Sequence, residues 1–132
     1  MPVARVLVID DQLHVRAAIV AVLKSLGFEV VAVESGRLGL GELGKSSFDL
    51  AMVDIYMPEM DGVQIIKAMR ACAPNLPVIA MSGVMFRTSG RSVLNVLPMA
   101  PGLFGVTCLR KPFRPKELQL AVQEAIGAAA AV

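Results

Sequence analysis

The chain has 132 residues, of which 55% are hydrophobic and 18% are charged, and its formal net charge at neutral pH is +2. This length fits one domain with a sizeable core, and the composition argues against a disordered chain, a membrane-spanning helix and a signal peptide. The basic residues are scattered, aromatic residues make up only 5% of the chain and tryptophan is absent, so we expect neither nucleic acid nor membrane as a partner.

Five short segments rich in β-branched residues predict five β-strands. The central segments are apolar at nearly every position, which is typical of strands that are covered on both faces. The predicted strands span residues 5–9, 29–33, 49–53, 78–81 and 106–109. Between most of them, apolar residues recur every three or four positions, a spacing that predicts helices.

The sequence signals for the start and end of each predicted helix differ in strength. The first ends at Gly27, which suits a C-terminal cap, and the third follows Asp61, which suits an N-terminal cap. The second, over residues 36–43, is weak because each internal glycine costs about 1 kcal/mol relative to alanine. The last has Pro115 in its first turn. Residues 84–105 contain glycines and prolines that allow only a short, irregular fourth helix.

The alternation of strands and helices predicts an α/β fold with helices on both faces of a parallel sheet. We expect a flavodoxin-like, doubly wound sheet of five strands in the order 2-1-3-4-5, a (βα)5 arrangement in which the first and third strands are neighbours. The domain is expected to span residues 1–127, followed at 128–132 by an alanine-rich tail that frays.

Residues 39–46 match the phosphate-binding P-loop pattern GxxxxGK[ST] letter for letter. A P-loop needs a helix directly after it, because backbone amides and the helix N-terminus together bind the phosphate. Here only Ser47 separates Ser46 from the apparent strand that starts near Phe48, so no such helix can form. We interpret the segment as a glycine-rich helix and turn, and a P-loop nucleotide binder is the least favoured alternative.

The cysteines and the single histidine predict no redox or metal chemistry. Cys72 and Cys108 lie in apolar segments without a CxxC pattern or a nearby histidine, and we expect both to be reduced packing residues. Reduced thiols favour a cytoplasmic location. His14 is expected on a helix surface.

Acidic residues follow two strands that the expected topology makes neighbours. Asp10 and Asp11 end the first strand and Asp54 ends the third, so their carboxylates should converge on one crevice. Carboxylates held close together repel unless a cation neutralises them, and hard oxygen ligands suit Mg²⁺. Ser82 and Lys111 end the fourth and fifth strands at the same edge. A nucleophilic carboxylate, a hydroxyl, an ammonium and a metal together predict a site that accepts a phosphoryl group on Asp54.

Four motifs make the sequence resemble the receiver domain of two-component response regulators, the family that includes the chemotaxis regulators. The resemblance extends over residues 3–126. The motifs are Val8-Ile9-Asp10-Asp11, the segment 54–62 with the sequence DIYMPEMDG, Ser82-Gly83 and Lys111-Pro112-Phe113.

The resemblance implies a phosphorylation-dependent signalling switch in a two-component phosphorelay. Asp54 would accept the phosphoryl group from a sensor histidine kinase or a histidine phosphotransfer protein, and the chain would not be a turnover enzyme. Mg²⁺ would be held by Asp11, Asp54 and the backbone carbonyl of Tyr56, with Asp10 holding a metal-bound water. Ser82 and Lys111 would contact the phosphoryl oxygens. The Lys111–Pro112 peptide bond is expected to be cis.

The sequence departs from the family pattern at two places. Cys108 stands three residues before Lys111, where receivers usually carry a tyrosine or phenylalanine that moves when the domain is phosphorylated. The stretch between Ser82 and Lys111 is several residues longer than usual, and its apolar residues at 84–105 suggest a surface for a downstream protein target or for dimerisation. An alternative function is therefore a receiver-fold interaction module that no longer switches.

Overall fold

A computed structural model of the chain describes residues 3–55, 62–82 and 106–130. Its five parallel strands are β1 (Arg5–Ile9), β2 (Glu29–Val33), β3 (Leu50–Asp54), β4 (Val78–Ser82) and β5 (Thr107–Arg110). The described helices are α1 (Leu13–Ser25), α2 (Gly36–Lys45), α3 (Gly62–Cys72) and α4 (Pro115–Ala130). The strand order is β2-β1-β3-β4-β5, which confirms the predicted flavodoxin-like topology.

The strand bounds agree with the sequence prediction at β1 and β2 and differ by one residue at the others. β3 and β4 continue to Asp54 and Ser82, so these polar residues end their strands. The reason is that backbone pairing does not depend on side-chain polarity. Asp54 is paired with Met81, and Ser82 with Arg110.

The sheet separates two hydrophobic clusters, one on each face. Side chains alternate along each strand, so Leu7 and Ile9 face one cluster while Val6 and Val8 face the other. Helices α2 and α3 cover the first face, and α1 and α4 cover the second. All residues of β3 and β4 are buried, as expected for strands in the middle of the sheet.

The glycines of α2 have a packing role that the sequence alone does not reveal. A Cβ atom at Gly36 would collide with the Ile65 side chain, and one at Gly39 would collide with Ile9. These two glycines let α2 lie close to α3 and β1. The segment with the P-loop letters is therefore helical up to Lys45, which confirms its interpretation as a glycine-rich helix.

The ends of the helices follow the sequence signals with one extension. Gly27, which closes α1, has a positive φ of 93°, and Pro115 begins α4. Helix α4 continues to Ala130, into the segment for which fraying remains a prediction. The cap at Asp61 and the fourth helix expected within 84–105 lie outside the described residues.

Two smaller predictions have different outcomes. His14 is exposed on α1, as expected. Cys72 is also exposed, at the end of α3, so its assignment as a packing residue is wrong. Within the described ranges, no helix is long and apolar enough to cross a membrane.

Replacing Gly41 by alanine is expected to raise the free energy of unfolding by about 1 kcal/mol. Gly41 lies inside α2, and a Cβ atom there would meet nothing within 4 Å, so only the lower helix propensity of glycine is removed. Urea unfolding measures the change. Gly39→Ala is the matched control in the same helix and should not be stabilising, because of Ile9. A lower midpoint for Gly41→Ala would contradict this description of α2.

Candidate functional site

Four polar residues lie at the edge of the sheet where the parallel strands end. Asp10 directly follows β1, Asp54 ends β3, Ser82 ends β4 and Lys111 directly follows β5. Because all strands run in the same direction, their carboxyl ends share one edge. The sequence prediction that these four residues converge is therefore matched by the topology.

Three carboxylates form the centre of this site. One oxygen each from Asp10, Asp11 and Asp54 lies within 4.8 Å of the others. Asp10 is fully buried and Asp54 nearly so, whereas Asp11 is exposed. Bringing buried carboxylates this close is unfavourable unless positive charge lies among them.

The ammonium group of Lys111 supplies that positive charge. Its Nζ lies 2.7 Å from Asp10 Oδ2 and 3.1 Å from Asp54 Oδ2, and so it bridges the two buried carboxylates. The backbone N–H of Lys111 donates to the carbonyl oxygen of Ser82, which fixes the start of this segment against the end of β4. One ammonium against three carboxylates still leaves the group net negative, which favours a further cation.

Asp10 is held in place by several groups that the sequence analysis missed. Its backbone N–H donates to the carbonyl oxygen of Val33 at 3.1 Å. Its Oδ1 accepts from the backbone N–H of Gln12 at 2.9 Å, and its carbonyl oxygen accepts from Arg16 Nη1 at 2.8 Å. An arginine five residues after the Asp10-Asp11 pair is the sequence signal for the last contact.

Ser82, at the end of β4, carries a buried hydroxyl group. It is fully buried, and its Oγ has no hydrogen-bond partner within the described part of the chain. A buried hydroxyl without a partner is unfavourable, and such groups are uncommon in native structures. A hydrogen-bond partner from outside the described residues would therefore stabilise this hydroxyl.

Gly62 allows α3 to begin directly against the end of β3. A Cβ atom at this position would collide with the backbone of Ile55 and approach the carbonyl oxygen of Asp54. The backbone N–H of Gly62 donates to the carbonyl oxygen of Ile55 at 3.3 Å. The glycine of the DIYMPEMDG segment therefore keeps the backbone around Asp54 closely packed.

The acidic cluster fits a divalent metal ion. Its donors are carboxylate oxygens from Asp10, Asp11 and Asp54, which are the hard ligands that Mg²⁺ and similar ions prefer. The exposed position of Asp11 leaves this side of the cluster open to solvent. Tyr56, expected to contribute its carbonyl oxygen, lies outside the described residues.

Cys108 lies beside the site, on the face of the sheet covered by α2 and α3. It is half-buried, packs against that hydrophobic cluster and forms no disulfide, in agreement with its predicted packing role. Desolvation by burial raises the pKa of its thiol, so the group stays protonated at neutral pH. The Lys111–Pro112 peptide bond is cis, as expected.

The family model of the response regulator receiver domain matches residues 6–123. The chain belongs to this family. The match includes all site residues described above and all five strands apart from Arg5, the first residue of β1.

Known proteins similar to this receiver domain include two regulatory proteins of Escherichia coli K12. The transcriptional regulatory protein ZraR is 35% identical over 77 residues, which cover 58% of this chain and 18% of ZraR. The regulatory protein AtoC is 33% identical over 122 residues, which cover 92% of this chain and 25% of AtoC. The chain therefore spans a quarter or less of these relatives.

Among solved structures, the chemotaxis protein CheY4 of Vibrio cholerae is similar over its whole length. It is 27% identical, with a TM-score of 0.79, and the alignment covers 94% of this chain and 99% of CheY4. This similarity agrees with the predicted resemblance to the chemotaxis regulators.

Replacing Lys111 by alanine is expected to lower the free energy of unfolding by about 3 kcal/mol when no divalent cation is present. The reason is that Asp10 and Asp54 then remain buried without the ammonium group that bridges them. Urea unfolding in EDTA measures the loss. Lys45→Ala, at an exposed position of α2, removes the same charge and should change little. Equal stability of Lys111→Ala and wild type would show that the ammonium does not stabilise the cluster.

Proposed function

We propose that this receiver domain is a signalling switch that accepts a phosphoryl group on Asp54. The donor is the phosphohistidine of a sensor histidine kinase or of a histidine phosphotransfer protein. The observation that carries the proposal is the surroundings of Asp54. Its carboxylate is nearly buried, Lys111 Nζ lies 3.1 Å from Oδ2, and the hydroxyl of Ser82, at the end of the neighbouring strand, has no partner among the described residues.

The chemistry is an in-line displacement at phosphorus. A carboxylate oxygen of Asp54 attacks, the P–O bond of an acyl phosphate forms, and the P–N bond to the donor imidazole breaks. The electron pair of that bond stays on the imidazole nitrogen, which takes up a proton. Lys111 and Ser82 stabilise the charge on the phosphoryl oxygens. The chain is used up stoichiometrically in this step and is not a turnover enzyme.

A Mg²⁺ ion is part of the proposal. Asp11, Asp54 and the carbonyl group of Tyr56 would hold it, with Asp10 beside them. When bound, the ion supplies positive charge that neutralises the carboxylates and the entering phosphoryl group. The support for this assignment is the chemistry of the carboxylate cluster described above.

The switch follows from new contacts of the phosphoryl group with Lys111 and Ser82. The phosphoryl group adds nearly two negative charges and strong acceptor oxygens to Asp54. These oxygens attract the ammonium that otherwise bridges Asp10 and Asp54, and they accept from the Ser82 hydroxyl. Lys111 and Ser82 mark the ends of β5 and β4, so both strand ends respond to one chemical event.

A groove beside the site is suited to the phosphoryl donor. It has a volume of about 480 Å³ and lies between α1 and the segment that joins β5 to α4. Its lining is mainly apolar, includes His14, Val15, Pro112 and Phe113, and extends to Lys111. Because Lys111 lines this groove and also contacts Asp54, a donor domain that rests in the groove would lie close to Asp54.

The remaining partners belong to the proposal as well. The downstream protein target is of unknown identity, and a dimer through residues 84–105 stays a prediction because that segment lies outside the described residues. A cytoplasmic location agrees with the free thiols of Cys72 and Cys108.

Incubation with Mg²⁺ and a small-molecule phosphodonor is expected to add the mass of one phosphoryl group to the wild-type chain. Asp54→Asn should add none, because it removes the nucleophile. Asp49→Asn is the matched control, since Asp49 lies just before the opposite end of β3, and it should react like wild type. Intact-mass spectrometry measures the product. A phosphoryl group on the Asp54→Asn variant, or none on wild type, would contradict the proposal.

The second candidate function, an interaction module that no longer switches, is favoured by Cys108. A small, protonated thiol occupies the position where receivers usually carry a mobile aromatic side chain. Amide hydrogen exchange on the phosphorylated chain separates the two candidates. A working switch changes exchange rates in β5 and α4, whereas an inert module takes up the phosphoryl group with unchanged exchange in both elements.

A further inference from the structure

Arg16 reaches back from α1 to the loop that carries the acidic pair. It lies in the first turn of α1 and is half-buried. Its Nη1 donates to the carbonyl oxygen of Asp10 at 2.8 Å, and its backbone N–H donates to the carbonyl oxygen of Gln12 at 2.9 Å. The side chain and the backbone of this one residue thus hold both ends of the loop between β1 and α1.

The carbonyl group that Arg16 binds belongs to the peptide unit joining Asp10 to Asp11. Because the unit is planar, a hydrogen bond to its carbonyl oxygen restrains ψ of Asp10 and φ of Asp11, the two torsions that set how these residues are placed relative to each other. The other acceptors of Asp10 are also engaged, since Oδ1 accepts from the N–H of Gln12 and Oδ2 from Lys111. Lys111 binds two carboxylates at once, whereas the side chain of Arg16 donates to the peptide unit itself.

The chemistry of arginine suits this position. Its guanidinium stays charged at all relevant pH values and offers several donors in a fixed plane. It therefore adds lasting positive charge next to a cluster that Lys111 neutralises only in part. Groups that orient metal ligands without touching the metal commonly contribute about 10-fold or more to metal affinity.

We propose that Arg16 is a positioning residue for the divalent-cation site. It fixes the Asp10–Asp11 peptide unit so that both carboxylates lie beside Asp54. The inference rests on the proposed function only where it says that the bound cation assists phosphoryl transfer to Asp54. Cation binding itself can be measured without that reaction.

The test measures binding of Mn²⁺, an ion with the same preference for carboxylate oxygens, from the EPR signal of the free ion. We expect Arg16→Ala to bind Mn²⁺ about 10-fold more weakly than wild type. Arg16→Lys, which keeps the charge and can donate one hydrogen bond, should recover part of the affinity. Lys24→Ala is the matched control, because it removes one exposed charge from the last turn of the same helix, and it should bind like wild type.

A second readout separates positioning from a general loss of structure. In Arg16→Ala, the Mg²⁺ concentration for half-maximal phosphoryl uptake should rise by a similar factor, while the rate at saturating Mg²⁺ stays close to that of wild type. Thermal unfolding in EDTA checks that the variant is folded. If Arg16→Ala does not fold, Arg16→Gln takes its place, with the same expected loss of Mn²⁺ affinity.

Wild-type Mn²⁺ affinity in the folded Arg16→Ala or Arg16→Gln variant would overturn the inference, as would an equal loss in Lys24→Ala. The proposed function can fail independently of this result. If wild type binds Mn²⁺ but takes up no phosphoryl group, the proposed function is wrong, and the comparison of Mn²⁺ affinities still decides the role of Arg16.

Discussion

The structure of this site depends on the electrostatics of three carboxylates at one sheet edge. Asp10 and Asp54 are buried and bridged by Lys111, and the exposed Asp11 completes the group. A lone buried carboxylate is strongly unfavourable, so the cluster persists only because cationic groups lie within it. The site remains net negative with its own lysine in place. It is therefore suited to a divalent ion and, in the proposed mechanism, to the transfer of a charged phosphoryl group.

The strands that carry the two buried carboxylates are packed on both faces of the sheet. β1 and β3 lie in the interior of the sheet, with their apolar side chains packed on both faces, so Asp10 and Asp54 have little freedom to separate. Ser82 ends β4 and Lys111 directly follows β5, and the backbone N–H of Lys111 donates to the carbonyl oxygen of Ser82. In the proposed mechanism, Asp54 accepts the phosphoryl group beside Asp10, and Lys111 and Ser82 transmit the change to β5 and β4.

Much of the fold and of the candidate site could be predicted from the sequence, because strand periodicity and the polar residues at the strand ends are local features. The topology then follows from general rules for parallel sheets. The contact between Arg16 and the Asp10 carbonyl could not be predicted, since it depends on the path of one side chain across a turn. The same holds for the need for glycine at positions 36 and 39, which comes from the close approach of the Ile65 and Ile9 side chains. Local propensity alone made α2 look weak.

The most direct measurement is the stability of the wild-type chain as a function of Mg²⁺ concentration. The free energy of unfolding should rise steadily once the concentration exceeds the dissociation constant, by about 2.7 kcal/mol at 100 times that constant. Asp54→Asn should show a clearly smaller rise, because it removes one of the three carboxylates. An unfolding midpoint that does not change with Mg²⁺ in the wild-type chain would contradict the account.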